Sequence, residues 1–119
     1  MEERKMQKVY GLIRRLGISK KYTGYKYLAD AVVLVMEMED EPIRITKVIY
    51  PELARKYHVT PEAIEQNIRT VVGQCWGRNR SMIEHMAGFR LSERPTNMEL
   101  IEILAFYLAA RSKKKFSIA

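Results

Sequence analysis

Six side chains near the middle of the sequence have the chemistry and the spacing to contact the edges of DNA bases. At about 100° per residue, a helix over this segment brings them to one side, opposite an apolar face. Glutamine can form two hydrogen bonds with adenine, arginine can form two with guanine, and glutamate can accept one from cytosine. The pattern predicts base reading, mainly through the first turns of the helix. The six residues are Glu62, Ala63, Glu65, Gln66, Arg69 and Thr70.

The segment that leads into these residues predicts a helix-turn-helix at about residues 46–76. Thr60 can cap a helix with its hydroxyl, and Pro61 suits the first helical position. His58 falls at the turn, and histidine is one of the few non-glycine residue types enriched at positive φ. Ala54 is small enough to let the two helices cross closely. A motif of this kind can place its second helix in the major groove of DNA.

The residues around the second helix are the candidates for binding DNA phosphates. The helix itself carries Glu62, Glu65 and Arg69, so its own net charge is negative. Nearby basic side chains, together with the amide groups at helix starts, can supply the attraction instead. These candidates are Thr46, Lys47, Arg55, Lys56, Thr60, Arg78 and Arg80.

Apolar residues at helical spacing predict about six helices, and no segment has a convincing strand pattern. The predicted helices cover residues 2–16, 23–38, 46–57, 60–76 and 81–88, with a last one from about 96. Pro51 predicts a bend or a split in the third helix, and Gly77 with the polar residues after it predicts a loop. We therefore expect one all-α domain over residues 1–119, a compact bundle of about six helices. The basic tail at 111–119 is expected to fray.

Hydroxyl residues mark where three of these helices begin. Thr23 and Thr46 are the candidate N-caps of the second and third helices. Thr96, followed three positions later by Glu99, has the pattern of a capping box at the last helix.

Composition narrows the class of function. A net charge of +7 on 119 residues suits a polyanionic partner, and it also suits simple solubility. No apolar run reaches the roughly 18–20 residues of a membrane span, so we expect no membrane partner. A single cysteine can form no intrachain disulfide, which favours a reducing, cytoplasmic setting. Cys75 is the only cysteine and falls on the apolar helix face, where it suits packing. No metal-ligand spacing, phosphate loop or catalytic set is visible, so we expect no metal, no cofactor, no small-molecule substrate and no enzyme activity.

Several stretches match one known family in order and spacing, from about residue 10 to residue 110. They are residues 24–28, residues 45–57, Ile64-Glu65 with Ile68-Arg69, Trp76 with Arg78, Gly88-Phe89, and residues 95–97. In these stretches the chain resembles the C-terminal DNA-binding domain of the stage-zero sporulation response regulator of endospore-forming bacteria. The resemblance implies a six-helix domain with a helix-turn-helix that regulates transcription in bacteria. It also implies double-stranded DNA as the partner, bound at a short box, with a homodimer or tandem copies on DNA.

The sequence departs from that family at the positions proposed to read bases. The family usually carries arginine at the positions of Ala63 and Gln66, and it tends to have histidine at Thr70 and glutamate at Gly73. Glu65 and Arg69 are kept. We therefore expect binding to a different or looser DNA sequence. Members also carry an N-terminal receiver domain for which 119 residues leave no room. The start at Met1 favours a complete small protein, and the alternative is a domain separated from its receiver domain.

A second function is also compatible with the sequence: a protein-interaction module that keeps the fold and modulates a full-length regulator. The absence of arginine at Ala63 and Gln66, and the negative charge of the second helix, favour this alternative. It is opposed by four residues that the chain retains, which are Glu65, Arg69, Lys47 and Arg78.

Overall fold

The computed structural model describes residues 2–38 and 45–114, and these residues form five α-helices and no strand. The helices are α1 (Glu2–Arg15), α2 (Thr23–Glu37), α3 (Tyr50–Tyr57), α4 (Pro61–Ala87) and α5 (Asn97–Lys114). A π-helical turn, Ile45–Ile49, leads directly into α3. The all-helical prediction is confirmed for the described residues.

Helix α2 is the centre of the bundle and packs against α1, α4 and α5. Its apolar residues are spaced so widely around the helix that most of its surface is buried. Gly24 marks the closest approach to α4, because a Cβ at this position would overlap the carbonyl oxygen of Asn67 and lie 2.8 Å from its carbonyl carbon. The absence of a side chain at residue 24 therefore sets the separation of α2 and α4.

The prediction of six helices was wrong by one, because the loop expected after Gly77 is a kink inside α4. Only Asn79 leaves helical geometry, with φ −149° and ψ 54°. Its side-chain amide donates to the carbonyl of Arg15 at 3.0 Å. The guanidinium of Arg80 lies 4.5 Å from the Trp76 ring and donates to the carbonyl of Leu91 at 2.7 Å. Contacts with other elements thus hold the segment in a nearly continuous helix, although glycine and polar residues favour a loop there.

The helix starts agree with the predictions at some sites and differ at others. The capping box of α5 is confirmed, since the Thr96 N–H donates to Glu99 at 2.8 Å and the Glu99 N–H donates to the Thr96 hydroxyl at 3.1 Å. Thr23 is not a cap: Tyr22 occupies that position without a side-chain bond, because α2 begins at Thr23 itself.

The third helix is split as Pro51 predicted, with Pro51 in the first turn of α3 and the π-helical turn before it. Thr46 does not cap this helix, because α3 begins later and Ile49 occupies the cap position. The side chain of Thr46 lies outside the described part of the chain, as does the predicted basic tail from residue 115. Among the described residues, no helix is both long enough and apolar enough to cross a bilayer.

Candidate nucleic-acid interface

A three-residue turn joins α3 to α4 where the sequence predicts it. His58 adopts the left-handed conformation, with φ 58° and ψ 45°, and its N–H donates to the carbonyl of Ala54. Thr60 is extended, and its hydroxyl accepts from the N–H of Ala63 at 3.1 Å. Pro61 then begins α4. The predicted turn at His58, the N-cap at Thr60 and the helix start at Pro61 are confirmed, and the two helices pack against each other.

Helix α4 has one buried side and one exposed side in this region. Ile64, Ile68, Val71 and Cys75 have no exposed surface, as the helical spacing predicted. On the opposite side lie four exposed residues with two partly exposed ones beside them. We call these six the α4 strip; they are the predicted base readers Glu62, Ala63, Glu65, Gln66, Arg69 and Thr70. The fold brings all six together on one accessible surface of a single helix.

Two contacts order side chains of the α4 strip. The guanidinium of Arg69 pairs with the carboxylate of Glu65, one turn earlier on the same helix. The Thr70 hydroxyl donates to the carbonyl of Gln66 at 3.2 Å. An exposed pair four residues apart contributes only about 0.3–0.5 kcal/mol, so an incoming acceptor can displace Glu65 from Arg69 at little cost.

The predicted phosphate-binding residues fall into different environments. Lys47, Arg55 and Thr60 are exposed at or near the helix-turn-helix, and Arg55 donates to Glu52 at 2.8 Å. Arg78 and Arg80 are exposed at the kink of α4. At 1.5 Å per residue, this kink lies roughly 25 Å along α4 from its first turn. Phosphate contacts from the first group would therefore lie near the start of α4, and those from Arg78 and Arg80 would lie near its kink.

Lys56 takes part in a cluster around the buried carboxylate of Asp30, which the sequence did not predict. Its ammonium lies 3.0 Å from the carboxylate of Asp30, which is only 5% exposed, and the Tyr57 hydroxyl donates to the same oxygen at 2.5 Å. Burial and the bond to Asp30 hold the pKa of Tyr57 well above its usual range. The cluster ties the end of α3 to the middle of α2. Its one signal in the sequence is an acid within the apolar stripe of α2.

Two residues at or just before the start of α5, also not predicted, bond to the helix-turn-helix. The Asn97 amide donates to the Tyr50 hydroxyl at 2.9 Å and to the carbonyl of Glu65 at 3.1 Å, which joins α5 to both α3 and α4. Arg94, in the loop between α4 and α5, donates to the carbonyl of Arg69 at 2.7 Å. No spacing rule connects these residues to the carbonyls they bind, because Arg94 is 25 residues from Arg69 and Asn97 is 32 residues from Glu65.

Cys75 packs in the core and does not have the properties of a nucleophile. Burial raises the pKa of its thiol to about 12, so the reactive thiolate is scarce at neutral pH. Among residues 2–38 and 45–114, no group of three histidine, cysteine, aspartate or glutamate side chains is arranged to hold a metal ion.

One family model matches the chain across nearly the whole described fold. Its description is sporulation initiation factor Spo0A C terminal, and the match covers residues 9–108. These bounds run from the middle of α1 to the middle of α5 and include the turn at His58, the α4 strip and the kink at Asn79.

Proposed function

Because the chain belongs to the family of sporulation initiation factor Spo0A C-terminal domains, which are DNA-binding domains of a sporulation regulator, we propose that it is a sequence-specific, DNA-binding transcriptional regulator. The observation that carries the proposal is the α4 strip. Five of its six residues carry hydrogen-bonding side chains, and all six are exposed or partly exposed on the helix that follows a tight turn. That is the arrangement by which a helix-turn-helix presents side chains to the major groove.

The start of α4 would approach the DNA first. The helix dipole favours a phosphate near this end. Gln66 would then contact adenine and Arg69 would contact guanine, each through two hydrogen bonds. The ion pair between Arg69 and Glu65 is weak, so Arg69 could leave Glu65 to bind the base. Alternatively, Glu65 could keep the guanidinium of Arg69 oriented towards the base.

The composition of the α4 strip supports a preference that differs from that of other family members. Ala63 offers only a methyl group, which suits contact with thymine, and Gln66 suits adenine. The proposal therefore includes a DNA box richer in A·T pairs at the positions these residues face. Two copies on tandem boxes, or a homodimer, would double the contact surface without new residues.

The test is a titration of the protein into two labelled duplexes, one carrying the family box and one scrambled, at about 50 and 200 mM salt. We expect affinity to fall steeply with salt, because phosphate contacts release counterions. Arg69→Ala should reduce the preference between duplexes, and Arg4→Ala, which removes an exposed arginine from α1, is the matched control. Preference for neither duplex calls for selection from random duplexes, which should recover a different box.

Absence of binding at the lower salt concentration would contradict the proposal. The protein-interaction module would then be the function to test, by measuring association with a full-length regulator of the same family. The net negative charge of the α4 strip supports that second candidate, because it opposes DNA more than a basic recognition helix would.

A further inference from the structure

The side chain of Arg94 crosses from the α4–α5 loop onto the same side of α4 as the α4 strip. Its Nη2 donates to the carbonyl of Arg69 at 2.7 Å. A Cβ built on Gly73 would lie 3.0 Å from Nη1 and 3.3 Å from Cζ of Arg94. The guanidinium therefore lies directly over Gly73, in space that any other residue at 73 would fill with its own side chain.

This position extends the α4 strip by one helical turn. Gly73 follows Arg69 by four residues, so the two share a face of α4. Arg94 also lines the same open cleft of about 650 Å³ as Glu62, Glu65 and Arg69. It brings a positive charge to a surface on which the two glutamates outnumber the one arginine of α4.

We propose that Arg94 is a DNA-phosphate contact supplied to the recognition surface by the α4–α5 loop. The inference rests on the proposed function and adds a residue outside the helix-turn-helix to it. Arg94 is exposed, and the bond to Arg69 uses one of its five N–H donors. The others can bind a phosphate through two parallel hydrogen bonds. Because the Arg69 carbonyl already holds the side chain, less conformational freedom is lost on binding than for an unanchored arginine.

A phosphate is a better match for Arg94 than a base edge. Base contacts come mainly from the first turns of a recognition helix, and Gly73 lies more than two turns beyond Glu62. A guanidinium fixed to the helix backbone from the side is suited to the DNA strand that borders the groove. Such contacts fix the position of the helix and carry no base preference of their own.

The experiment compares Arg94→Ala with Arg90→Ala, which removes an equal charge from the same exposed loop. Binding to the family-box and scrambled duplexes is measured at several salt concentrations, with thermal unfolding in parallel. We expect Arg94→Ala to weaken binding to both duplexes by about tenfold and to lower the salt slope by about one, with an unchanged preference ratio. Arg94→Lys should recover the slope and only part of the affinity, because lysine keeps the charge but not the paired geometry.

A second variant tests whether DNA binding depends on where the Arg94 guanidinium lies. Gly73→Ala adds a methyl group within 3.0 Å of Nη1 and favours helix, so it should not unfold the domain. It should weaken DNA binding in the wild-type background and have no effect when residue 94 is alanine.

The outcomes separate this inference from the proposed function. If the wild-type protein binds DNA and Arg94→Ala binds like Arg90→Ala, the inference is overturned and the proposed function stands. A changed preference ratio with an unchanged salt slope would also overturn the phosphate assignment. If Arg94→Ala lowers the unfolding temperature and leaves DNA binding unchanged, Arg94 stabilises the fold and is not a phosphate contact. If the wild-type protein does not bind DNA at all, the proposed function itself has failed.

Discussion

The two sides of α4 differ in burial and in the strength of their contacts. The inward side is close-packed: four apolar side chains have no exposed surface, and the backbone at Asn67 approaches Gly24 more closely than any Cβ would permit. The outward side carries polar residues held by weak, exposed contacts such as the Glu65–Arg69 pair. One side therefore fixes where the helix lies, and the other can exchange its partners.

This difference explains how the domain could change its DNA preference without changing its fold. Substitutions at the exposed positions of the outward side alter little packing, so their effect on the free energy of unfolding is small. The residues at 63 and 66, which differ from those usual in the family, lie on or beside that outward side. Substitutions on the inward side meet a densely packed core that transmits any change in volume.

The largest effect is expected at Gly24. Gly24→Ala would force α2 and α4 apart, because the added Cβ overlaps backbone atoms of Asn67 that have no rotamer to change. We expect a loss of about 3 kcal/mol or more in the free energy of unfolding, at or above the upper end for overpacking. Urea-induced unfolding, followed by helical circular dichroism, measures it.

Gly77→Ala is the matched control for that experiment. A Cβ at Gly77 would meet no atom within 4 Å, and residue 77 lies within α4. The domain should therefore become more stable by up to about 1 kcal/mol, because alanine favours helix over glycine. Equal losses from both substitutions would show that helix geometry, and not close approach, sets the cost at Gly24.

The second effect concerns the outward side and depends on the proposed function. The double substitution Ala63→Arg and Gln66→Arg supplies the two arginines usual in the family. Each bidentate contact contributes about 1–3 kcal/mol of discrimination. The preference for the family box over a scrambled duplex should therefore rise by roughly 100-fold, which corresponds to about 2.7 kcal/mol. Competition binding of the two duplexes measures the ratio.

The same double variant should leave the inward side undisturbed. Ala63 is partly exposed and Gln66 is exposed, so the unfolding temperature should stay close to that of the wild-type protein. An unchanged preference ratio in a folded double variant would contradict the assignment of base reading to these positions.

The third effect is expected at Asp30, which anchors α3 against α2. Asp30→Ala leaves the Tyr57 hydroxyl without its carboxylate acceptor, whereas the ammonium of Lys56, a side chain that is 58% exposed, can turn to water. We expect a loss of about 2 kcal/mol, since hydrogen bonds to charged groups are among the stronger ones. The pKa of Tyr57 should fall, because Asp30 raises it in addition to burial. Chemical unfolding and the titration of tyrosinate absorbance measure the two effects.

Glu52→Ala provides the control for Asp30. It breaks the pair with Arg55, in which both side chains are more than half exposed, and should cost less than about 0.5 kcal/mol. Equal losses of stability in Asp30→Ala and Glu52→Ala would show that burial does not make the contacts of Asp30 stronger than those of Glu52.

The sequence predicted correctly the parts of this domain that are stabilised by contacts between residues close together in the chain. His58, Thr60 and Pro61 each favour the observed turn through their own backbone or side-chain chemistry, so the sequence located the turn correctly. The same reasoning predicted the two sides of α4, because helical spacing alone determines them.

The parts that the sequence did not predict depend on distant contacts. The segment after Gly77 has loop composition, yet Asn79 and Arg80 bond to α1 and to the α4–α5 loop and keep it within α4. Asp30 was missed because its partner Lys56 is 26 residues away, and Arg94 because it reaches α4 from a loop. Such pairings follow from how the helices pack, which spacing along one helix does not show.

The smallest effect is expected at Thr60, where the two sides of α4 meet at its start. Thr60→Ala removes the hydroxyl that accepts from the Ala63 N–H and should cost about 1 kcal/mol, while Thr60→Ser keeps the acceptor and most of the stability. Thermal unfolding of the three proteins measures the cost. The preference ratio between duplexes, measured well below the unfolding temperature, should not change, because the cap orders the first turn and does not face a base. No loss of stability in Thr60→Ala would mean that the buried side of α4 fixes the start of the helix unaided. A changed preference ratio would instead extend the surface that reads DNA to the turn itself.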